Sequence, residues 1–318
     1  MISRRSFALA SGLLLAGHAD SQVTHQSTWV VPYSAGSAQD TLARLLSQQH
    51  SHDVNAPLVV LNKPGAGGTI ASAQVAKSKA DGRTLLLAAS SHHLAGALVH
   101  SLPYHPLNSF RAAAFMGFSE YVLVASADLQ AARLDDFVKR IALAPQRYHF
   151  ASSGQGSATH VGMAAFLARA GLEMTHVPFK GTGEVIQEIL AGRIQAAILP
   201  TLSLHPFKTD ARLRPLALTS LERSAHFPDL PTVGESGYPG FRWISWVGLL
   251  APKGVPDAKI QSIHEAMQSV LADPAVQKRL QSVGIATTHW TPEQFDQLLK
   301  TDWSDALTMT RQLQLTAD

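Results

Sequence analysis

The hydrophobic positions of the chain fall into short apolar runs that alternate with segments of helical period. The clearest helical segment runs from Met163 to Ala170, and Gly171 follows it as a typical helix end. Strands that alternate with helices in this way predict an α/β fold. The predicted strands are TWVVPY, LVVLNKP, TLLLAAS, YVLVAS, YHFASS, THVPF, IQAAILP and LRPLALTS.

The pattern changes after the segment WISWVGLLAPKGVP, where helices begin to dominate. Apolar periodicity predicts helices over 257–272 and 274–283, and a last helix that starts after Thr291. Thr291 as cap, Pro292 at the first position and Gln294 two further on form the pattern of a capping box. No linker of the kind that joins separate domains is evident, so the chain is expected to cross between domains more than once.

Composition narrows the class of protein. With 318 residues, 46% of them hydrophobic, the chain is long enough for two domains. A net charge of +3 without a run of Lys or Arg argues against nucleic acid as a partner. Cysteine is absent, which excludes disulfides, thiolate zinc sites and a lipoprotein anchor. The adjacent pair His92 and His93 belongs to no metal-binding motif, so no metal is expected.

The N-terminus has the features of an export signal. Paired arginines, Arg4 and Arg5, precede an apolar run over 7–17, which is about half the roughly 20 residues that span a bilayer. The segment 1–19 is therefore predicted to be a signal peptide, with cleavage after Ala19. Its segment Ser3-Arg4-Arg5-Ser6-Phe7 resembles the twin-arginine motif, although Ala8 and Leu9 depart from it, and export by the general secretory route is the alternative. The mature protein is expected in the periplasm.

The stretch FASSGQGSATHVGM places small residues between a predicted strand and a predicted helix. Neither GQGSAT nor the earlier GAGGTI carries the sixth glycine of a dinucleotide fingerprint, and both lack the ending of a phosphate-binding P-loop. No nucleotide cofactor is therefore expected. An exported serine hydrolase remains an alternative, with Ser157 or Ser153 as nucleophile and His160 as base, although GxSxG is absent and no orienting carboxylate is evident.

The other interpretation is an anion cup. A helix start offers backbone N–H groups without intrahelical partners and the positive end of the helix dipole, and small residues let a carboxylate approach them. The segment VVPYSAGSAQDTLARLL has the same arrangement, a strand, a small-residue loop and a helix with Asp40 in its first turn. Two such loops suit two lobes that face each other across a cleft.

Longer blocks resemble a known family. They are VPYSAGSAQDTLARLL, VVLNKPGAGGTIASAQVAKSKADGRTLLLA, LPYHPLNSF, ASSGQGSATHVGM, HVPFKGTGEVIQEILAGRI, LRPLALTSLERSAHFPDLPTVGESGYPGF and SWVGLLAPKGVP. In this order they resemble the solute-binding receptors of tripartite tricarboxylate transport, the Bug or TctC-like family. The resemblance extends from about Thr28 to the C-terminus.

The resemblance implies a type II periplasmic-binding-protein fold, a monomer with lobe one over 24–122 and 247–318 and lobe two over 123–246. It also implies a non-enzymatic receptor that captures a small organic carboxylate and delivers it to a membrane transporter or to a sensor for signalling. Carried over position by position, the expected ligand-binding residues are Tyr33, Ser34, Ala35, Gly36, Asp40, Ser90, Ser91, Ser153, Ser157, Ala158, Thr159, His160, Phe179 and Lys180.

The chain departs from the family pattern in two places. The loop usually written PGG appears here within Ser34-Ala35-Gly36-Ser37. The strand that commonly carries aspartates reads IQAAILPT, so Gln195, Leu199 and Pro200 replace Asp, Asp and Asn. If that strand faces the ligand, the pocket has lost acidic character, and we expect weaker selection for ligands that carry an ammonium group.

Overall fold

The computed structural model describes residues 26–54, 57–99, 101–144, 147–224, 227–282, 284–313 and 315. The predicted signal peptide and its cleavage site lie outside these residues. The strands are β1 (Ser27–Val31), β2 (Leu58–Asn62), β3 (Thr84–Ala89), β4 (Phe110–Ser126), β5 (His149–Ser152), β6 (Thr175–Pro178), β7 (Ala196–Pro200), β8 (Leu213–Leu218), β9 (Ile244–Pro252) and β10 (Ile285–Ala286). The helices are α1 (Ala38–Val54), α2 (Thr69–Ala76), α3 (Ser91–Leu98), α4 (Leu134–Leu143), α5 (Ala158–Ala170), α6 (Thr182–Leu190), α7 (Thr201–Leu204), α8 (Asp257–Ala272), α9 (Pro274–Gln281) and α10 (Pro292–Gln312).

The strands form one curled, mixed sheet with two halves that share β4. The strand order is β2-β1-β3-β9-β4-β7-β5-β6, with β8 and β10 also paired to β4. Along Phe110–Glu120, β4 pairs with β9, and along Tyr121–Ser126 it pairs with β7 and β8. We call lobe one the half built on β1, β2, β3, β9 and β10, and lobe two the half built on β5, β6, β7 and β8.

Each half-sheet is buried on both faces, which explains the continuous apolar runs in the sequence. In lobe one, β3 turns Leu85 and Leu87 toward α1 and α8, whereas Leu86 faces α2 and α10. In lobe two, β4 turns Leu123 toward α4 and α5 and Val124 toward α6. The two lobes therefore each have helices on both sides of a sheet, as the α/β prediction requires.

The last helix connects the two lobes. Thr291 Oγ1 caps α10 by accepting from Gln294 N, and Gln294 Oε1 accepts from Thr291 N, so the predicted capping box is confirmed. Phe295 and Leu299 pack in the core of lobe one, and Ala306 packs in the core of lobe two. Among the residues that the structure describes, no helix has the length and apolar character of a membrane span.

Candidate functional site

The two predicted loops meet where the strands of both lobes end. Two backbone N–H groups donate across the cleft, one from the loop after β1 and one from the first residue of α1. Ser34 N donates to Lys180 O at 3.4 Å, and Ala38 N donates to Thr182 Oγ1 at 3.3 Å. Lys180 and Thr182 lie at the junction of β6 and α6 in lobe two. Amides at the start of one lobe's helix thus point at oxygen atoms of the other lobe.

Tyr33 connects three loops of the cleft. Its side chain is 3% exposed, and its hydroxyl bonds to Ser91 of lobe one and Ser153 of lobe two. Burial raises the pKa of Tyr33, although both hydrogen bonds act in the opposite direction. The phenol is therefore a neutral hydrogen-bonding group at physiological pH, and it connects the two lobes directly.

The lobe-two loop is held by a cluster of hydroxyls around Thr159. Thr159 Oγ1 accepts from Ser153 N at 2.8 Å and lies 3.0 Å from Ser153 Oγ and 2.9 Å from Ser157 Oγ. Ser157 caps α5 by accepting from His160 N at 3.2 Å. Ala158, the first residue of α5, is buried beside this cluster. The loop is thus ordered by its own side chains.

The structure does not pair the His160 ring with Ser157 or Ser153, as the hydrolase alternative would need. The His160 ring accepts from Gly156 N at its Nδ1 (3.1 Å) and stacks on the His176 ring at 3.8 Å between centroids. Ser157 Oγ bonds to Thr159 and to the His160 backbone, and neither bond involves the imidazole. Burial lowers the pKa of His160 to about 4. The His160 ring therefore stabilises the loop that precedes α5.

Asp40 is a positioning residue for the lobe-one loop. Its buried carboxylate accepts from Gly36 N at 2.9 Å, from Asn62 Nδ2 at 2.9 Å and from Arg44 Nε at 3.1 Å. Asn62 Nδ2 also donates to Tyr33 O at 3.0 Å. Burial alone would raise the pKa of Asp40, but the bonds from Arg44, Gly36 and Asn62 hold it below its ordinary value. These bonds occupy both carboxylate oxygens of Asp40 and hold the lobe-one loop in place.

The remaining predicted residues divide between the cleft mouth and the framework. Ala35 and Gly36 are exposed at the tip of the lobe-one loop, where Gly36 adopts a φ of 81° that glycine accepts without strain. Ser90 instead bonds to β9, donating to Ser245 Oγ at 3.1 Å and accepting from Trp246 N at 3.2 Å.

On the lobe-two side, Phe179 and Lys180 occupy different environments. The Phe179 ring packs, partly buried, against the lobe-two core, and its N–H donates to Ser152 O at 2.9 Å. Lys180 is exposed at the rim. Of these two predicted residues, the structure therefore brings only Lys180 to the mouth of the cleft.

Sequence reasoning missed three hydroxyls of the cleft. Thr182 accepts the Ala38 amide, and Tyr121 bonds to Ser245 where β4 and β9 cross between the lobes. Thr182 had a local signal, because KGTGEV repeats the arrangement of small residues before a helix. Tyr121 and Ser245 lie within strands and have no such signal.

A small cavity of about 10 Å³ lies between the lobes, beneath the loops. Its apolar lining comes from both lobes, and its polar lining is uncharged. The apolar side chains include Ala38, Leu42, Pro200, Leu202, Val247 and Ile285. The polar ones are Gln39, Ser119, Tyr121 and Ser245.

The substituted strand β7 only partly reaches the cleft. Gln195 precedes β7 and accepts from His149 N at 2.9 Å, and Leu199 is buried in the lobe-two core. Pro200 alone of the three replaced positions lines the cavity. Gln195 and Leu199 therefore have their partners within lobe two, and the expected weaker selection for ligands with an ammonium group stays a prediction.

Within the described part of the chain, no three His, Cys, Asp or Glu side chains are grouped to hold a metal ion. The adjacent histidines have structural partners. His92 Nε2 donates to Pro106 O at 2.8 Å, and its Nδ1 lies 2.9 Å from Ser72 Oγ. His93 Nδ1 lies 2.7 Å from Asp302 Oδ2.

A two-lobed α/β molecule, with loops from both lobes converging at the strand ends, belongs to the class of periplasmic solute-binding proteins. Residues 42–314 match the family described as the tripartite tricarboxylate transporter family receptor. The chain belongs to this family and is a solute-binding receptor, which confirms the resemblance seen in the sequence. Protein BugT of Bordetella pertussis is 32% identical over 290 residues, 91% of this chain and 89% of BugT.

Solved structures of relatives share the fold. The periplasmic binding protein BugD has a TM-score of 0.88 at 28% identity, covering 92% of this chain and 99% of BugD. An R. palustris protein solved with adipate has a TM-score of 0.88 at 26% identity, covering 92% and 98%. MatC from Rhodopseudomonas palustris, solved with bound malate, has a TM-score of 0.85 at 27% identity, covering 89% and 98%.

Proposed function

We propose that this receptor captures a small organic carboxylate in the cleft between its lobes and delivers it to a tripartite tricarboxylate-type transporter. The observation that carries the proposal is the pair of amides, Ser34 N and Ala38 N, that point across the cleft at Lys180 O and Thr182 Oγ1. Relatives of similar structure were solved with adipate and with malate. Both are carboxylates.

The geometry favours an anion over a neutral ligand. The Ala38 amide, at the first residue of α1, lies at the positive end of the helix dipole. A carboxylate accepts charge-assisted bonds roughly twice as strong as those between neutral groups. A carboxylate between the lobes would therefore replace the neutral acceptors Lys180 O and Thr182 Oγ1. The hydroxyls of Tyr33, Ser91 and Ser153 lie beside these amides and bond to one another, and a carboxylate that entered between them would replace those bonds.

The proposal includes closure as the signal of binding. A ligand that contacts both loops interacts more strongly with the closed arrangement than with an open one, and this difference shifts the equilibrium. We place the lobe boundaries at 24–122 plus 247–318 and at 123–246, and the exchange of β4 partners after Glu120 supports this division. Export by the N-terminal segment 1–19 and the absence of catalysis are part of the same proposal.

The test is a thermal-shift screen of organic acids on the mature protein, followed by calorimetry on those that stabilise it. A carboxylate at about a hundred times its Kd should stabilise the fold by about 2.7 kcal/mol. If no organic acid raises the melting temperature, the proposed function is wrong.

A matched pair of variants tests where the carboxylate binds. Ala35 is exposed at the loop tip, so both Ala35→Asp and Ala35→Asn are expected to fold. Ala35→Asp adds a negative charge beside the proposed carboxylate and should weaken binding at least tenfold, whereas the near-isosteric Ala35→Asn should bind within about threefold of wild type. Equal affinities for the two variants would mean that the anion binds elsewhere.

A further inference from the structure

The two lobes also meet away from Ser34 and Lys180, at glycines on both sides of the cleft. Gly67, in the segment between β2 and α2 of lobe one, is buried against Gln155 of the lobe-two loop. A Cβ atom added at Gly67 would overlap the Gln155 carbonyl oxygen. A Cβ atom added at Gly154 would lie 3.6 Å from Gly67 Cα. The backbone of lobe two therefore occupies the space that a side chain at Gly67 would need.

Beside this contact, the lobe-two loop packs on α3 of lobe one. A Cβ atom added at Gly156 would lie 3.0 Å from Ala95 Cα and 2.9 Å from Leu98 Cδ1, closer than the roughly 3.5–4.0 Å at which carbon atoms pack. Ala95 Cβ would also lie 3.2 Å from a Cβ atom added at Gly67. One face of α3 thus lies against glycines of both lobes. We call this contact the glycine junction, formed by Gly67, Ala95, Gly154, Gln155 and Gly156.

The lobe-one side of the glycine junction is fixed within its own lobe. Gly68 N donates to Gly65 O at 2.9 Å, and Thr69 Oγ1 donates to Ala66 O at 2.9 Å. Ser72 Oγ of α2 donates to Gly68 O at 3.1 Å. These bonds hold the segment against the first turns of α2, so it withdraws from lobe two only by breaking them.

The lobe-two side is held in the same way. Ser152 Oγ donates to Gly154 O at 3.0 Å and accepts from Gly154 N at 3.2 Å. His160 Nδ1 accepts from Gly156 N at 3.1 Å. A group added to a well-packed contact forces the surrounding backbone to shift. A side chain at Gly67 is therefore accommodated by parting the lobes, because this movement breaks no bond within either loop.

We propose that Gly67 controls the closure of the cleft, since the space left by its missing side chain is the space into which the lobe-two loop moves. A side chain at this position then holds the lobes apart. The inference rests on the closure that the proposed function includes, but it depends on no particular solute. Gly67 is a positioning residue in this role, because it acts through the lobe-two loop. A receptor that closes less also loses ligand contacts that only the closed arrangement makes.

A disulfide between the lobes can report closure without any ligand. Gly181 of lobe two has extended backbone, with φ −179°, and a Cβ atom added there would lie 3.7 Å from Ser34 Cβ of lobe one. Disulfides join Cβ atoms about 3.5–4.5 Å apart. The chain has no cysteine, so the mature double variant Ser34→Cys/Gly181→Cys carries only these two thiols. They form a bond with each other only when the lobes close.

The experiment measures the rate at which oxidised glutathione converts these two thiols into the interlobe disulfide, followed by mass spectrometry. Adding Gly67→Ala to the double variant should slow the reaction, and adding Gly67→Leu should slow it at least tenfold. The control position is Gly171, which has φ 65° against 62° for Gly67 and open space for 4 Å around an added Cβ atom. Gly171→Ala and Gly171→Leu carry a similar backbone strain without the contact, and should leave the rate within about threefold.

Equal rates in the Gly67 and Gly171 variants would overturn the inference, because closure would then not depend on the side chain at Gly67. A double variant that never forms the disulfide would also overturn it, since the lobes would not meet at Ser34 and Gly181. Circular dichroism checks folding, and Gly67→Ala still reads the effect if leucine prevents it. No acid is present in these measurements. An acid screen without stabilisation would therefore contradict the proposed function and leave the result on closure standing.

Discussion

At the scale of single residues, the charged and titratable members of the predicted site maintain the loops. Asp40 bonds to Gly36, Arg44 and Asn62, and His160 bonds to Gly156. Residue type alone indicated ligand contact for both, because a carboxylate or an imidazole beside a small-residue loop has the chemistry of a binding group. What decides between contact and support is which neighbours occupy the polar atoms, and that depends on packing.

Replacing Asp40 by Asn tests its role in positioning the loop. The amide nitrogen would face N–H donors, so at least one of the bonds to Gly36, Arg44 or Asn62 is lost at a buried position. We expect a loss of about 1–3 kcal/mol in unfolding free energy and a weaker affinity for the carboxylate. Urea unfolding and calorimetry measure the two effects.

Asp296→Asn, which removes only an exposed pair with Lys300, is the control and should change stability by about 0.5 kcal/mol or less. Wild-type stability in Asp40→Asn would contradict the positioning role.

Tyr33→Phe removes a hydroxyl that bonds to both lobes. The phenyl ring still fills the buried site, so the fold should persist with a loss of about 1 kcal/mol. Closure loses a bond between Tyr33 and Ser153, and carboxylate affinity should fall about tenfold. The comparison variant is Tyr148→Phe, a partly buried tyrosine of lobe two outside the cleft loops. Equal affinities in the two variants would show that the Tyr33 hydroxyl does not act in binding.

At the scale of elements, the sequence predicted the bounds of a helix correctly where local residues mark its end. The helix over 257–272 has the predicted bounds, and α5 ends at Gly171, whose φ is 65°. Helix α3 was missed because every residue of it except Ala97 is buried, which leaves no polar face and so no helical period to detect. Only the second half of β4 was predicted, since its first half is interrupted by register shifts and by Gly117 at φ 144°.

The start of α5 provides an element-scale prediction. Ala158 is its first residue, and Ser157 before it has φ −67° and ψ 160°, which proline tolerates in its predecessor. Ala158→Pro should therefore keep the fold while removing one N–H donor from the lobe-two loop. We expect carboxylate binding to be lost or at least tenfold weaker by calorimetry, with circular dichroism unchanged. Ala158→Gly keeps the N–H and should bind within about threefold of wild type. Unchanged affinity in the proline variant would mean that this amide does not contact ligand.

At the scale of the whole molecule, the loops could be predicted from the sequence, but the contacts between the lobes could not. The two small-residue loops and their helices could be identified from spacing and resemblance. The contacts between Ser34 and Lys180, and between Tyr121 and Ser245, require β4 to cross from one lobe to the other. No residue pattern near those positions encodes a partner so distant in the chain. The uncharged cavity lining follows from the same crossing, because it collects residues from distant segments.

The buried histidines predict how the stability of the whole molecule depends on pH. Burial lowers the pKa of His160 to about 4, and burial together with the neighbouring His160 lowers that of His176 to about 3. Burial, followed by the charge of His93, lowers the pKa of His92 to about 3, against an opposing bond to Pro106. An unfolded histidine titrates near about 6.5. Between these values the unfolded chain binds more protons than the folded protein.

The stabilising contribution of these histidines should therefore be complete above about pH 6.5. The free energy of unfolding should fall as the pH decreases toward about 4. Each proton taken up only by the unfolded chain contributes a slope of at most about 1.4 kcal/mol per pH unit. Urea unfolding from pH 7.5 to 4.5 measures this slope, to which carboxyl groups with a lowered pKa, such as Asp40, add in the same direction below about pH 5. In His160→Asn, the amide oxygen can still accept from Gly156 N, but the group does not titrate, so the slope should decrease by about one proton. A wild-type stability that stays flat from pH 7 to 4.5, or an unchanged slope in the variant, would show that these rings titrate in the fold as they do in the unfolded chain.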